Sequence, residues 1–254
     1  MVFYFSACGN SKYVAAQIAK ETDDEIFSID NCLKENNLIF DLNKVQRVGI
    51  ISPVYFLGIP NIVSDFLDKV DFLNYSTSYF YTVITFGTTT GAAASFVEKA
   101  LKKKSINLNA SFSVRYPDTF TPIFNITNDK ANLKKINKAE NTIPKIINSI
   151  IKKTSKNFIK NRLPYNLVVN HYYSSYKKNN DTKTFTVEDS CISCRLCENK
   201  CPVDAIELKD GKPVWIKKSC VMCLGCLHRC PVSAIQFGPK TKNHGRYLNP
   251  NIKI

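Results

Sequence analysis

The sequence predicts an α/β chain, with a doubly wound parallel sheet over the N-terminal part and a small α+β module at the C-terminus. Three observations predict this. Short apolar runs alternate with helical stretches over roughly the first 150 residues, the signature of a parallel sheet covered on both faces. Eight of the ten cysteines fall between Cys191 and Cys230, in two runs of one spacing. Those runs also align without a gap as an internal repeat, CISCRLCENKCPVDAIEL and CVMCLGCLHRCPVSAIQF.

The elements follow in order. Val2–Phe5 is a short apolar strand ending in the small polar loop Ser6–Ser11. Lys12–Lys20 carries Val14 and Ile18 at helical spacing. Glu25–Ile29 reads as a strand, as does Arg47–Ile51, which runs into Ser52–Pro60. A helix over Pro60–Val70 has proline in its first turn, where no N–H is needed. Tyr79–Phe86 is a strand opening into Gly87–Gly91, Ala92–Lys104 a helix and Asn107–Tyr116 a strand. Asp129–Lys153 is a long, basic, amphipathic helix. Residues 155–188 are rich in Asn and Lys and show little periodicity until Thr184–Val187. The expected organisation is therefore a domain over 1–154, a linker over 155–182, a cysteine-rich domain over 183–240 and a tail over 241–254.

Open parallel sheets bind ligands at the C-terminal ends of their strands. Three loops lie there: 6–11, 52–60 and 86–91. The first leads from a strand into a helix, whose free N–H groups suit a phosphate. Ser6, Asn10 and Ser11 add side-chain donors. Asn10 or Ser11 suits a plain helix cap equally well.

The cysteine runs read Cys191-x2-Cys194-x2-Cys197-x3-Cys201-Pro202 and Cys220-x2-Cys223-x2-Cys226-x3-Cys230-Pro231. This is the bacterial ferredoxin spacing for two [4Fe–4S] clusters. One short turn supplies three corners of a cubane, and the fourth thiolate must come from elsewhere. The resemblance to two-cluster ferredoxins implies crossed ligation. Cys191, Cys194, Cys197 and Cys230 then hold one cluster, and Cys201, Cys220, Cys223 and Cys226 the other. In each repeat Cys-Pro-Val is followed by Ala-Ile, apolar cover for a cluster. Zinc would call for two pairs of ligands rather than triplets. A disulfide framework would need an oxidising compartment. The opening MVFYFSACGN has no basic leader region and reads as a strand, so a cytoplasmic home in an anaerobe is expected. Of the two remaining cysteines, Cys32 is expected as a half-buried structural thiol.

The net charge of +14 is uneven: −4 over residues 1–100, +12 over 101–188 and +6 over 189–254. No helix-turn-helix, zinc-finger or RNP pattern accompanies it, so no nucleic-acid partner is expected. Solvated lysine-rich helix faces explain most of it; steering toward an acidic redox partner is the other reading. No run of apolar residues is long enough for a membrane span. His171, His228 and His244 are scattered and form no acid–base pair, so no catalytic residue is expected.

The three strand-end loops together resemble the flavodoxin family, whose phosphate loop has the form [ST]-x-T-G-x-[ST]. Here it is Ser6-Ala-Cys8-Gly9-Asn10-Ser11, with Cys8 in place of the threonine. The resemblance implies FMN, held by Ser6, Cys8, Gly9, Asn10 and Ser11 at its phosphate. It further implies that Pro53, Val54, Tyr55, Phe56 and Gly58, with Phe86, Gly87, Thr88, Thr89 and Gly91, flank the flavin ring. Tyr55 or Phe56 would stack on it, or be core aromatics instead. The order of the two parts, with FYFSACGNSKYVA, PVYFLGIP and the tail sequence GRYLNP, resembles the EFR1-family ferredoxins, which are flavodoxin–ferredoxin fusions of anaerobes. The function implied is an electron-transfer flavo-iron–sulfur protein with a redox partner protein. Two rival readings stay open. One is a flavin-dependent reductase of a small molecule, fed by the clusters and walled by Tyr116–Ile126. The other is a ferredoxin with a flavin-free docking domain.

Overall fold

The computed structural model describes residues 1–159, 169–178 and 180–254. In chain order the first part comprises β1 (Val2–Tyr4), α1 (Asn10–Thr22), β2 (Ile26–Ser28), α2 (Ile29–Lys34), β3 (Ile39–Asp41) and β4 (Arg47–Pro53). Then come α3 (Asn61–Lys69), β5 (Asp71–Leu73), β6 (Tyr79–Phe86), α4 (Ala93–Lys102), β7 (Ala110–Arg115), α5 (Asp129–Ile151) and β8 (Lys156–Asn157). Strands β2-β1-β4-β6-β7-β8 form one sheet, parallel throughout. The central strands are the most buried: all of β6 from Tyr79 to Thr85 is buried, as a doubly covered parallel strand requires.

Two apolar cores cover the two faces. On one, Val14 and Ile18 of α1 meet the stripe Ile136, Ala139, Ile143, Ile146, Ile147 and Ile150 of α5. Those spacings of three and four put the α5 lysines outside. Asn128 starts α5 by accepting a hydrogen bond from Ala131 N at 3.0 Å. On the other face, Ile62, Val63, Phe66 and Leu67 of α3 join Val97 and Leu101 of α4. Cys32 belongs to this core and is 3% exposed, so the half-buried thiol expected from sequence is a buried one.

The chain crosses from the β2 side of β1 to the β4 side, which makes the β1/β4 edge the switch point of the sheet. The loops after β1, β4 and β6 gather there: Phe5 N donates to Ile51 O and Val54 N to Thr85 O, both at 3.1 Å.

Several elements differ from the sequence reading. β3 and β5 pair in parallel as a separate ladder, Ile39 with Asp71 through Asp41 with Leu73. Each buries one aromatic, Phe40 or Phe72, and three residues are too few for a period to show. The strand expected over Glu25–Ile29 is shorter, because Ile29 already opens α2. The segment expected as a linker contains β8 and a helix, α6 (Val169–Lys178). Tyr173 and Tyr176 are buried there. Residues 160–168 and 179 of that segment lie outside the described residues.

The C-terminal module is a small α+β unit. β9 (Phe185–Val187) pairs antiparallel with β12 (Ile235–Phe237), and β10 (Ile206–Lys209) with β11 (Lys212–Trp215). Two short helices follow the cysteine turns, α7 (Leu196–Asn199) and α8 (Gly225–Arg229). Phe185 stacks on Trp215 with ring centroids 4.6 Å apart.

Candidate electron-transfer site

The sequence repeat is also a repeat of backbone conformation. Ser193 and Arg195 in the first run, and Met222 and Leu224 in the second, adopt positive φ between 54° and 59°. Asp204 and Ser233, each three residues past the last cysteine of its run, also have positive φ, at 47° and 52°. Alternating left-handed residues curl the chain so that amides turn inward, a concavity suited to an anionic centre. Met222 N donates to Cys220 Sγ at 3.3 Å and Gly225 N to Cys223 Sγ at 3.5 Å. Ala205 N to Cys201 Sγ and Ala234 N to Cys230 Sγ are both 3.2 Å.

Cys201, Cys220, Cys223 and Cys226 line one cavity, walled by Ala205, Ile206, Val221 and Leu224. Cys191, Cys194, Cys197 and Cys230 line a second, walled by Leu196, Leu208 and Ile235. Each cavity thus takes three thiols from one run and the fourth from the other. No three His, Cys, Asp or Glu side chains among the described residues close on a single point to grip one ion. Four sulfurs around a space, with amide donors and apolar walls, fit a cubane instead. Burial pushes the Cys220 thiol up to about 12 and the Cys197 thiol up to about 11, so iron must displace the protons of these two.

The two sets differ in position. Cys194 is exposed, and Ile192 beside it is 59% exposed. The other set faces the sheet. Val221 is part of the core under α3 and α4, and Cys223 packs against both cores of the N-terminal domain. Cys223 and Cys8 also sit close enough to bear on the Tyr55 hydroxyl, whose pKa burial raises well above its ordinary value.

The strand-end loops come together as follows. Gly9, at φ 91°, precedes the first turn of α1. Ser11 Oγ and Thr85 Oγ1 share a buried hydrogen bond of 2.8 Å. Ser6 is half-buried, and burial pushes the Cys8 thiol up to about 12, so it stays protonated. Tyr55 and Gly58 close a tight turn through two mutual backbone bonds of 2.9 Å, flanked by the half-buried Pro53 and Val54. Gly91 packs on Leu57, joining the second and third loops. Gly87 lies against Asp118, which accepts from Thr88 Oγ1 at 2.8 Å. Phe86 and Thr89 are half-buried beside them. A left-handed glycine, a helix start and hydroxyl and amide side chains suit a phosphate, and two aromatics beside the loop suit a flat ring. The donor chemistry of these residues therefore fits FMN.

Other parts of the chain already engage these groups. Phe56 stacks on Tyr176 of α6, centroids 4.9 Å apart and planes 10° apart. Tyr55 meets Tyr176 edge-on at 6.4 Å. Of the expected flavin-stacking aromatics, Phe56 is thus stacked and Tyr55 edge-packed within the protein. At the phosphate loop Asn10 Oδ1 accepts from Tyr247 OH at 2.8 Å and from Asn249 Nδ2 at 3.0 Å.

Residues 1–144 match the family model described as a flavodoxin domain, more than half of the chain. The chain belongs to the flavodoxin-domain family. Residues 190–235 match a 4Fe-4S dicluster domain, so this flavodoxin-family protein is a fusion with an iron–sulfur module and has the parts of an electron-transfer flavo-iron–sulfur protein. A search of the curated proteins found no match. Among solved structures it is similar to a Fusobacterium nucleatum flavodoxin bound to flavin mononucleotide, at 15% identity and TM-score 0.37, over 60% of this chain and 96% of that one. A flavoprotein in complex with FMN from Lactobacillus acidophilus is similar at 17% identity and TM-score 0.33, over 45% and 90%. The rubredoxin oxygen:oxidoreductase of Desulfovibrio gigas is similar at 15% identity and TM-score 0.37; this chain covers 35% of it and the match covers 58% of this chain.

Several residues that shape the site have no motif. Val169, Tyr173 and Tyr176 repeat at spacings of four and three, the one signal that could have revealed α6 inside a polar stretch. His228 is 3% exposed; burial, with Arg246 and Arg229 nearby, lowers it to about 4 despite its bond to Thr119. Its neutral ring donates from Nε2 to Thr119 O at 2.8 Å and accepts at Nδ1 from Tyr247 N at 3.3 Å. His244 Nδ1 donates to Thr121 O at 2.7 Å. Two of the three histidines thus tie the segment Tyr116–Ile126 to the C-terminal part. The side chain of His171 lies outside the described residues.

Proposed function

We propose that the protein carries electrons between a flavin at the strand-end cleft and an outside partner, through its two clusters in a fixed order. The inner cluster is held by Cys201, Cys220, Cys223 and Cys226, and the outer by Cys191, Cys194, Cys197 and Cys230. The observation that carries this reading is the asymmetry of the two sets: Cys223 packs on the cores beneath the cleft, while Cys194 faces solvent. When bound, FMN exchanges electrons in pairs or singly and each cubane passes one at a time, so the pair converts between the two modes.

The chain's own residues supply position and dryness. Ser6, Gly9, Asn10 and Ser11 hold the phosphate end. The turn Pro53–Gly58 and the loop Phe86–Gly91 border the ring. Val221, Leu224 and Ala205 keep water from the inner cluster. Thr119, whose carbonyl accepts from His228, ties its segment to the ferredoxin module, and Thr121, whose carbonyl accepts from His244, ties it to the tail. The same contacts commit Tyr116–Ile126 to holding the module and the tail, which favours a carrier over a reductase with an open substrate pocket. The net charge of +14, with the exposed lysines of α5, supports an acidic partner protein.

The test is iron, sulfide and released-flavin content on one anaerobically reconstituted sample, followed by rapid mixing with an external reductant. About eight irons and one FMN per chain, with cluster reduction leading flavin reduction, support the proposal. About eight irons and no flavin, even with FMN added, leave a ferredoxin with a docking domain. Flavin reduced ahead of both clusters reverses the order.

A further inference from the structure

The last ten residues cross the phosphate loop. Gly245 lies against Thr127 at the foot of α5, and from there the chain runs over the N-terminus of α1. Asn249 N donates to Cys8 O at 2.8 Å. Tyr247 and Asn249 both donate to Asn10, as described above. Lys12 Nζ, the cation closest in sequence to the loop, donates to Lys253 O at 2.7 Å. The side chain of Ile254 rests on Gly9, its Cδ1 2.7 Å from where a Cβ would stand, and Asn249 Cβ is 3.0 Å from the same point. Asn249 is 2% and Tyr247 7% exposed, so this is a packed contact.

These are the groups a phosphate monoester would use: the backbone at Gly9, the start of α1, and the side chains of Asn10 and Lys12. The other end of the segment is tied to the iron–sulfur module. Arg246 donates to Ile235 O at 3.0 Å and to Gln236 Oε1 at 2.9 Å, and Tyr247 N donates to His228. One strap therefore holds the phosphate loop and the ferredoxin module at once.

We propose that the strap Gly245–Ile254 competes with the phosphate of a flavin mononucleotide for the loop Ser6–Ser11, so that flavin loading releases the C-terminus. The proposal rests on the flavin reading above and adds an intramolecular rival to it. The rival end is built to leave. Asn251 and Lys253 are exposed, and among the described residues Asn251–Ile254 are held by hydrogen bonds from Asn251 to Asn249 and Glu140 and from Lys12 to Lys253, with the apolar contacts of Ile252 and Ile254. A ligand that takes the loop must displace these contacts, and its apparent affinity falls by the fraction of chains in which the strap is docked.

The experiment titrates FMN by flavin fluorescence into three reconstituted proteins: the full chain, the full chain carrying Asn249→Ala, and a chain ending at Pro250. Iron and sulfide content checks that each retains its clusters. The expected result is binding about tenfold tighter in both variants than in the parent, because the docked state is weakened while the loop is intact. Equal affinities in all three overturn the competition and leave the flavin reading standing. Weaker binding in the variants makes the strap a lid over bound phosphate and also overturns it. No binding by any of the three removes the flavin reading and the competition together. A second readout needs no variant: carboxypeptidase release of Ile254 and Lys253 from the parent chain should speed up when FMN saturates it. An unchanged release rate with flavin bound overturns the proposal.

Discussion

Replacing Cys201 by alanine tests the crossed arrangement of the cysteines. Cys201 belongs to the first run, but its sulfur lines the same cavity as Cys220, Cys223 and Cys226. Cys201→Ala should therefore damage the inner cluster and leave the outer one intact. Iron should fall from about eight per chain to about four, or about seven if a three-iron core survives. The damage should go beyond iron. The inner cavity adjoins Val221 and Cys223, which pack on the cores of the N-terminal domain, so metal binding there is coupled to domain docking. Thermal unfolding should shift down more for Cys201→Ala than for Cys194→Ala, whose sulfur is exposed. The assay compares four single alanine variants, at Cys201, Cys220, Cys197 and Cys230, by iron and sulfide content and by the paramagnetic resonance of the reduced protein. Crossed ligation requires the residual signal of Cys201→Ala to match that of Cys220→Ala, and Cys230→Ala to match Cys197→Ala. If Cys201→Ala instead matches Cys197→Ala, each run holds its own cluster and the assignment from the two cavities is wrong.

Tyr176 OH donates to Val221 O at 2.8 Å and accepts from Asn61 N at 3.3 Å, so Tyr176→Phe strands two backbone groups and should cost about 1–3 kcal/mol in a denaturant melt of the full chain. A cost near zero would mean that water replaces the hydroxyl. Gly91 combines φ 51° with Leu57 O 2.4 Å from its Cβ position, so Gly91→Ala should destabilise by at least about 1–3 kcal/mol and disturb the loops beside the cleft; unchanged stability would show that the two loops part easily. Burial raises the Asp24 carboxyl, but hydrogen bonds from Thr22, the N-terminal ammonium and Arg47, with the ammonium charge, hold it below the ordinary aspartate value of 3.8. Its stabilisation is therefore complete above that value and is lost as pH falls through the lower folded one, and Asp24→Asn should flatten the acid limb of a stability-against-pH curve. An identical limb in the variant would assign the acid sensitivity to other carboxylates.

Much of the molecule was legible where a short-range rule governs it. The strands and helices of the sheet announce themselves by period, and Val2–Tyr4, Arg47–Pro53 and Tyr79–Phe86 lie close to where alternation and turn residues put them. The cysteine spacing carries both cradles, because a three-cysteine turn with left-handed residues at fixed offsets is a local structure. Elements β3, β5 and β8 were not legible. Each has two or three residues, so its hydrogen bonds exist only because a partner from elsewhere presents an edge. Helix α6 was hidden differently. Its sequence is polar, and Tyr173 and Tyr176 are buried by Phe96, Phe56 and Val221 rather than by their own segment.

The candidate site divides the same way. Sequence alone determined the kinds of groups at the site: at the strand ends a glycine before a helix, small polar donors and two aromatics, and in the C-terminal module eight thiols. A residue's chemistry and its neighbours along the chain decide these. Only the tertiary structure decided who touches them: Tyr176 on Phe56, Cys223 between the cores, Asn249 and Ile254 on the phosphate loop. Those contacts join residues separated by more than a hundred positions, and no local propensity specifies them. They form because two domains on one chain bury apolar surface against each other. The balance between the strap and a ligand on one loop is a property of that packing.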